Sequence, residues 1–351
     1  MDLSPYLKLM VEKKASDIYL TSDAPVKIKI EGHQMPVGKT KLTADMVREA
    51  AYGIMNERQA RAFEVKHESD FAIVEEGAGR FRVNVFLQRG QVAMVLRYIP
   101  SDVPQLADLG LPEVLKELIM QKRGLILVVG STGSGKSTTI AAMMRYRNEN
   151  EASHILTIED PIEYNHTNAQ SIINQREIGQ DTLSYANALT QSLREAPDIV
   201  VIGECRDRET MESAIQLAGT GQLAISTLHA NNAHQTMDRI INMFPDQMHK
   251  QLLLDLSINL RAIVSQRLVM GKQGRRIAAV EIMVNTPHIA DLILKGQIDR
   301  IREAMEESSE PGMQSFDEAL HRLYKDDRIG LEEALRNADS RANLDAKINF
   351  G

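Results

Sequence analysis

The chain has no tryptophan, a single cysteine, and only seven Phe and eight Tyr among its 351 residues. With so few aromatic faces it lacks the stacking platforms on which single-stranded nucleic acids are held. One thiol excludes an internal disulfide framework and a Cys-ligated zinc site. No stretch approaches the roughly 18 consecutive apolar residues of a membrane-spanning helix. The opening Met1-Asp2-Leu3-Ser4-Pro5 lacks the basic-then-apolar pattern of a secretory signal. Together these absences predict a cytoplasmic protein. Positive charge is also in short supply: 48 Asp and Glu against 41 Lys and Arg give a formal charge of −7. Proteins that grip DNA through its phosphates carry a basic excess, so no nucleic-acid partner is expected. The 17 methionines read as adaptable core filling.

What is present is a complete phosphate-loop signature. Residues Gly130, Ser131, Thr132, Gly133, Ser134, Gly135, Lys136, Ser137 and Thr138 follow the apolar run 125–129 and precede a helical stretch. The glycines let the backbone turn tightly, so that successive N–H groups face a triphosphate. Lys136 has the reach for β- and γ-phosphate oxygens, and the Ser137 hydroxyl is placed to ligate Mg²⁺. The phosphates would sit at the positive end of the following helix. A Gly-rich turn without a ligand is the bland alternative, and the strand before and helix after weigh against it. The motif predicts binding of a nucleoside triphosphate.

The first hundred residues read as a small α+β domain. Leu3, Leu7, Met10 and Val11 recur at helical spacing, and Val26-Lys27-Ile28-Lys29-Ile30 and Phe81-Arg82-Val83-Asn84-Val85-Phe86 alternate with period two, as half-buried strands do. Gln88-Arg89-Gly90 turns the second of these into a returning strand over 91–98, and a helix is expected over 44–63. Pro100 and Pro104 bracket a segment expected to be a linker, 101–111. Beyond it, apolar runs at 124–130, 155–159, 199–203, 223–228 and 277–284 alternate with helical stretches, which predicts a mostly parallel sheet covered on both faces. From about 286 onward the chain reads as helical, with Ser315-Phe316-Asp317-Glu318 as a capping box.

In an open parallel sheet the ligand lies beyond the C-terminal ends of the strands. Two of these strands end in acids, Ile158-Glu159-Asp160-Pro161-Ile162-Glu163 and Ile202-Gly203-Glu204. A carboxylate there can orient a water for hydrolysis; each acid could equally be a turn residue or a helix cap. A third strand leads into Thr227-Leu228-His229, where an imidazole could sense a γ-phosphate or serve as a structural histidine. Arginines that balance transition-state charge could come from Arg80, Arg82 and Arg97, or from Arg194, Arg206 and Arg208. Cys205 is expected to be an inert, half-buried thiol.

Taken in order, Gly79-Arg80-Phe81-Arg82-Val83, the phosphate loop, Ile158–Tyr164, Asn174-Gln175-Arg176-Glu177, Gly203-Glu204, Thr227-Leu228-His229 and Gly312–Asp317 resemble the type IV pilus retraction ATPases of the PilT/PilU family, within the secretion ATPase superfamily. The resemblance runs nearly end to end. It implies an α/β protein with a RecA-like P-loop ATPase core (112–285), a PAS-like N-terminal domain (1–100) and a helical C-terminal region (286–351). It implies a homo-hexamer with active sites between N-terminal domain and core, using ATP and Mg²⁺. Glu204 and Glu163 carry over as the catalytic and Mg²⁺-side acids, Glu204 reaching the metal through water. Lys136 joins them at the reacting phosphates, His229 as nucleotide sensor, and Arg80, Arg82 and Arg97 as candidate fingers. Partners implied are a PilT-like motor and an inner-membrane platform protein, which would place the chain peripherally at that membrane. Two departures stand out. Gln222 occupies the place of a first histidine, so the sensor is expected to be half-built, and residues 287–294 together with the acidic tail resemble the PilU branch. Gln222 and the PilU-like tail keep open a non-hydrolytic hexameric accessory to a PilT motor. A pilus-assembly or secretion ATPase is the remaining alternative, against which the short N-terminal region and the lack of a Cys-ligated zinc site weigh.

Overall fold

The computed structural model describes every residue except Glu31, Ser101 and Gly351, and Phe350 through its backbone alone. Contacts divide the chain into two units, Met1–Asp102 with Pro161–Asn165, and Val103–Asp160 with His166–Gly351. The sequence-expected linker 101–111 begins at Ser101, outside the described residues. Its apolar positions Val103, Leu106 and Leu111 are buried, and the last two belong to the core of the second unit, so this stretch is packed and not a free tether.

The first unit is an antiparallel sheet with helices on one face. Its strands are β1 (Asp17–Leu20), β2 (Pro25–Ile30), β3 (His33–Lys41), β4 (Glu68–Glu75), β5 (Gly79–Gln88) and β6 (Gln91–Ile99), ordered β3-β2-β1-β6-β5-β4. The period-two alternation buries Val26, Ile28, Phe81, Val83 and Val85 against α1 (Ser4–Glu12), α2 (Ala44–Ile54) and α3 (Glu57–Lys66). The single helix expected over 44–63 is two. Met55 ends the first and Asn56 caps the second, its Oδ1 accepting from Gln59 N while Gln59 Oε1 accepts from Asn56 N, both at 2.9 Å. Asn at such a position offers the backbone a better partner than helix continuation does.

The second unit carries the mostly parallel sheet. Its strands are β7 (Gly124–Val129), β8 (His154–Glu159), β9 (Ile172–Glu177), β10 (Ile199–Ile202), β11 (Leu223–Leu228), β12 (Leu260–Met270) and β13 (Arg276–Val284). Their order is β13-β12-β7-β11-β10-β8-β9, with only β13 antiparallel to its neighbour. Alternate residues of β7 feed two cores: Ile126 and Val128 pack with α4 (Val114–Ile119) and α5 (Lys136–Asn150). Leu125, Leu127 and Val129 pack with α6 (Tyr185–Ser192), α7 (Arg208–Thr220), α8 (Ala233–Met243), α9 (His249–Asn259), α10 (Pro287–Leu294) and α11 (Ile301–Glu306). A sheet covered on both faces reads as continuous apolar runs. A smaller core joins α12 (Phe316–Lys325), α13 (Leu331–Asn337) and α14 (Arg341–Phe350) to Val269 of β12 and Ala279 of β13. Among the described residues no helix is long and apolar enough to cross a membrane.

Candidate nucleotide site

The order β12-β7-β11-β10 sets three chain reversals side by side, because all four strands are parallel and end at one edge. Neighbouring strands lie about 4.8 Å apart, so the loops after β7, β11 and β10 fall within one small region. Those loops begin with Gly130, His229 and Gly203-Glu204.

The phosphate loop has the backbone its glycines permit: Gly130, Gly133 and Gly135 take φ of 153°, 77° and 91°. Gly135 is the N-cap of α5, so Lys136, Ser137 and Thr138 form its first turn and their amides point out of the helix end. Lys136 Nζ donates to Gly130 O at 2.9 Å and to Ser131 O at 3.0 Å. Ser134 N closes a turn on Ser131 O at 3.2 Å. Ser134 Oγ is buried with no hydrogen-bond partner among the described residues, an orphan that a phosphate oxygen would satisfy. The loop therefore fits a polyphosphate. The oxygen donors at hand, the Ser137 hydroxyl and the Glu204 carboxylate, suit Mg²⁺, which keeps several waters and leans on substrate phosphates.

Glu204 is held from both sides. Its Oε1 lies 3.1 Å from His229 Nε2, and its Oε2 accepts from Arg206 Nε at 2.8 Å. The carboxylate is 17% exposed, whereas His229 and Arg206 reach outward at 40% and 63%. An ionised carboxylate only accepts, so His229 Nε2 carries the proton in this contact. The Glu204 hydrogen bond and charge hold the Arg206 guanidinium above its ordinary value. Tyr185 sits beside this group; burial first, and the Asp160 carboxylate second, push its phenol up and keep it protonated. Glu159 Oε1, at the end of β8, accepts from Thr157 Oγ1 at 2.6 Å and Gln175 Nε2 at 3.2 Å.

Among the arginines near the core strands, only Arg206 meets Glu204; Arg208 pairs with Glu212 along its helix and Arg194 turns to Gln191. In the first unit Arg80 and Arg82 share one face of β5, and Arg82 stands opposite Arg97 of β6. Like charges facing across strands repel. Each has a carboxylate of its own: Arg82 Nε donates to Asp70 at 3.0 and 3.1 Å, and Arg97 Nε to the buried Asp17 at 2.8 Å. Glu163 lies in the segment Pro161–Asn165, grouped with this unit.

Gln222 is the clearest departure from expectation. It precedes β11, whose far end leads to His229, and its carbonyl accepts from Gly124 N at the start of β7. Six strand residues at about 3.3 Å each separate the two, so Gln222 is no part of a sensor built with His229 in the same chain. Cys205 is buried outright, 1% exposed, and burial pushes its thiol up to about 12. Sequence reasoning missed Tyr185 and the clamp on Glu204 by Arg206, since neither belongs to a spaced motif.

A family model, type II/IV secretion system protein, matches residues 2–324. Type IV pilus ATPase PilU of Pseudomonas aeruginosa is 50% identical over all of this chain and 92% of the relative. Type IV pilus retraction ATPase PilT of the same organism is 40% identical, over 96% of this chain and 98% of its own. The chain belongs to the type IV pilus retraction ATPases of the PilT/PilU family. A crystal structure of the pilus retraction motor PilT with bound ADP superposes on this retraction ATPase fold with a TM-score of 0.92 at 41% identity, covering 98% of this chain and 99% of PilT. The expected architecture, an ATPase core of parallel strands with an antiparallel N-terminal sheet, is what this family member has. The family makes the chain a nucleotide-binding ATPase.

Proposed function

We propose that this retraction ATPase hydrolyses ATP with Mg²⁺ at residues 130–138, as a homo-hexamer that drives or assists withdrawal of pilin subunits. It would work beside a PilT-like motor on an inner-membrane platform protein, and so lie peripherally at that membrane. The observation that carries the reading is the clamped Glu204 carboxylate, two strands from the phosphate loop at the same sheet edge.

Lys136 leaves its own loop carbonyls for phosphate oxygens, and the amides of the loop and of the α5 N-terminus hold the rest. Ser137 and, through water, Glu204 would hold Mg²⁺, which would supply positive charge against the developing charge of the phosphates. His229 Nε2–H exchanges Glu204 for a phosphate oxygen when ATP is bound. That frees Glu204 Oε1 to orient the attacking water, while Arg206 keeps the carboxylate in place. Glu163 is the second acid on the Mg²⁺ side. Arg80, Arg82 and Arg97 of another subunit supply the fingers, released from Asp70 and Asp17.

Purified Lys136→Ala is expected to bind ATP at least about tenfold more weakly and to lose turnover. Glu204→Gln should bind ATP like the parent, yet turn over at least about a hundredfold more slowly. Parental turnover in either variant removes that residue from the machinery, and parental turnover in both refutes the site.

A further inference from the structure

β12 runs parallel to β7, with Val264 beside Val128 and Ser265 beside Val129. β7 stops there and becomes the phosphate loop, while β12 continues to Met270. The next residue of β12, Gln266, therefore stands against the loop itself. Its contacts are unusually close. A Cβ on Gly130 would lie 2.5 Å from the Gln266 carbonyl oxygen, and a Cβ on Gly135 would lie 2.8 Å from Gln266 Nε2. The side chain is 3% exposed, and its Oε1 accepts from Thr139 Oγ1, in the first turns of α5, at 2.7 Å.

One residue thus touches the loop at its first glycine, at its last glycine, and at the helix it feeds. The Thr139 hydroxyl fixes which way the amide faces: with Oε1 taken, Nε2 is turned to Gly135. The flanking residues serve the opposite face of β12, where Ser265 Oγ donates to Glu281 at 3.0 Å and Arg267 Nη2 to Asn231 O at 3.3 Å. A cradle of backbone N–H groups binds phosphate only if its curvature is held to a fraction of an ångström.

We propose that Gln266 is a positioning residue for the triphosphate loop, acting through Gly130, Gly135 and Thr139 and not by contact with the reacting atoms. The proposal rests on the reading that residues 130–138 bind the phosphates of ATP. The Gln266 carbonyl, as backbone, also leaves no room for a side chain at Gly130.

The test uses the full chain, a fluorescent ATP analogue and its ADP counterpart, and steady-state turnover. Gln266→Leu keeps the volume and removes both polar ends. Its Kd for both nucleotides and its KM are expected to rise roughly tenfold, while the melting temperature without nucleotide stays near that of the parent. Gln266→Glu keeps the acceptor for Thr139 but places an oxygen beside Gly135; its loss should be greater for ATP than for ADP, the more highly charged ligand suffering more. Thr139→Val, which removes only the donor, should weaken binding by a smaller factor, and the double variant should be no worse than Gln266→Leu alone. Parental Kd and KM in Gln266→Leu overturn the proposal, even if that variant melts earlier, since packing alone would then be its role. Should Gln266→Leu fail to fold, parental binding by Thr139→Val overturns it equally. A parent chain that binds neither analogue would refute the ATP site itself, a different outcome.

Discussion

A carboxyl group inside the second unit titrates where most carboxylates are long ionised. Burial raises Glu281 from its ordinary 4.5 to about 7; hydrogen bonds from Ala233 N and Ser265 Oγ oppose the shift, Asp339 adds to it and Arg267 counters it. Between those two values the folded chain holds more protons than the unfolded one, so this group lowers stability as pH rises from about 4.5 to about 7. Glu281→Gln retains an Oε1 acceptor for both donors and cannot ionise. It is expected to match the parent in denaturant melts at pH 5 and to exceed it at pH 8, by on the order of 2 kcal/mol. An equal gap at both pH values would refute this account. Nothing in Ile277–Val284 marked Glu281 as special, because a single acid in an apolar strand has no spacing to read. Glu204, His229 and the loop residues were legible because each ends a strand in a known order. The clamp that ties Glu204 to Arg206 was not: it depends on which rotamers the strand ends allow.

Elements announce themselves when local chemistry and tertiary packing agree. The capping box over Ser315-Phe316-Asp317-Glu318 is formed as expected, with Glu318 N donating to Ser315 Oγ at 3.3 Å and Ser315 N to Glu318 Oε2 at 3.0 Å. The helix it starts buries Phe316, Ala319, Leu320 and Leu323. Ser315→Ala should cost about 1 kcal/mol and speed hydrogen exchange in the first turns of α12 by roughly fivefold; unchanged protection there would show that packing alone sets this end. By contrast β3, β4, β9 and β12 escaped the sequence reading. The β3 segment His33–Lys41 is almost wholly exposed, so it lacks the apolar alternation that betrays a strand; it forms because β2 offers it a free edge. The β12 segment Leu260–Met270 carries apolar residues in a pattern that suits a helix as well as a strand. Only the vacant place beside β7 decides, and with it the position of Gln266.

At the scale of the whole chain, two sheets of different kind were readable from the change of pattern near residue 100, from period-two strands to continuous apolar runs. The grouping of Pro161–Asn165 with the first unit was not readable, since five residues carry no periodicity. If the proposed ring of six copies completes its sites with arginines of another subunit, the rate per subunit must depend on protein concentration. Turnover per subunit is expected to climb steeply across the range where oligomers form, then level off. A constant value from the lowest concentration upward would mean that each chain is a complete catalyst. Tight ATP binding with no turnover at any concentration would mark an accessory subunit.

Lys136, resting on the carbonyls of Gly130 and Ser131, gives the loop an internal competitor for every phosphate. Nucleotide capture then has a gate: the ammonium must swing away before it can grip, and measured affinity is diluted by the fraction of time it stays home. The same fraction taxes ATP and ADP alike, since both must draw the ammonium from the same two carbonyls, so the loop lowers affinity without choosing between them.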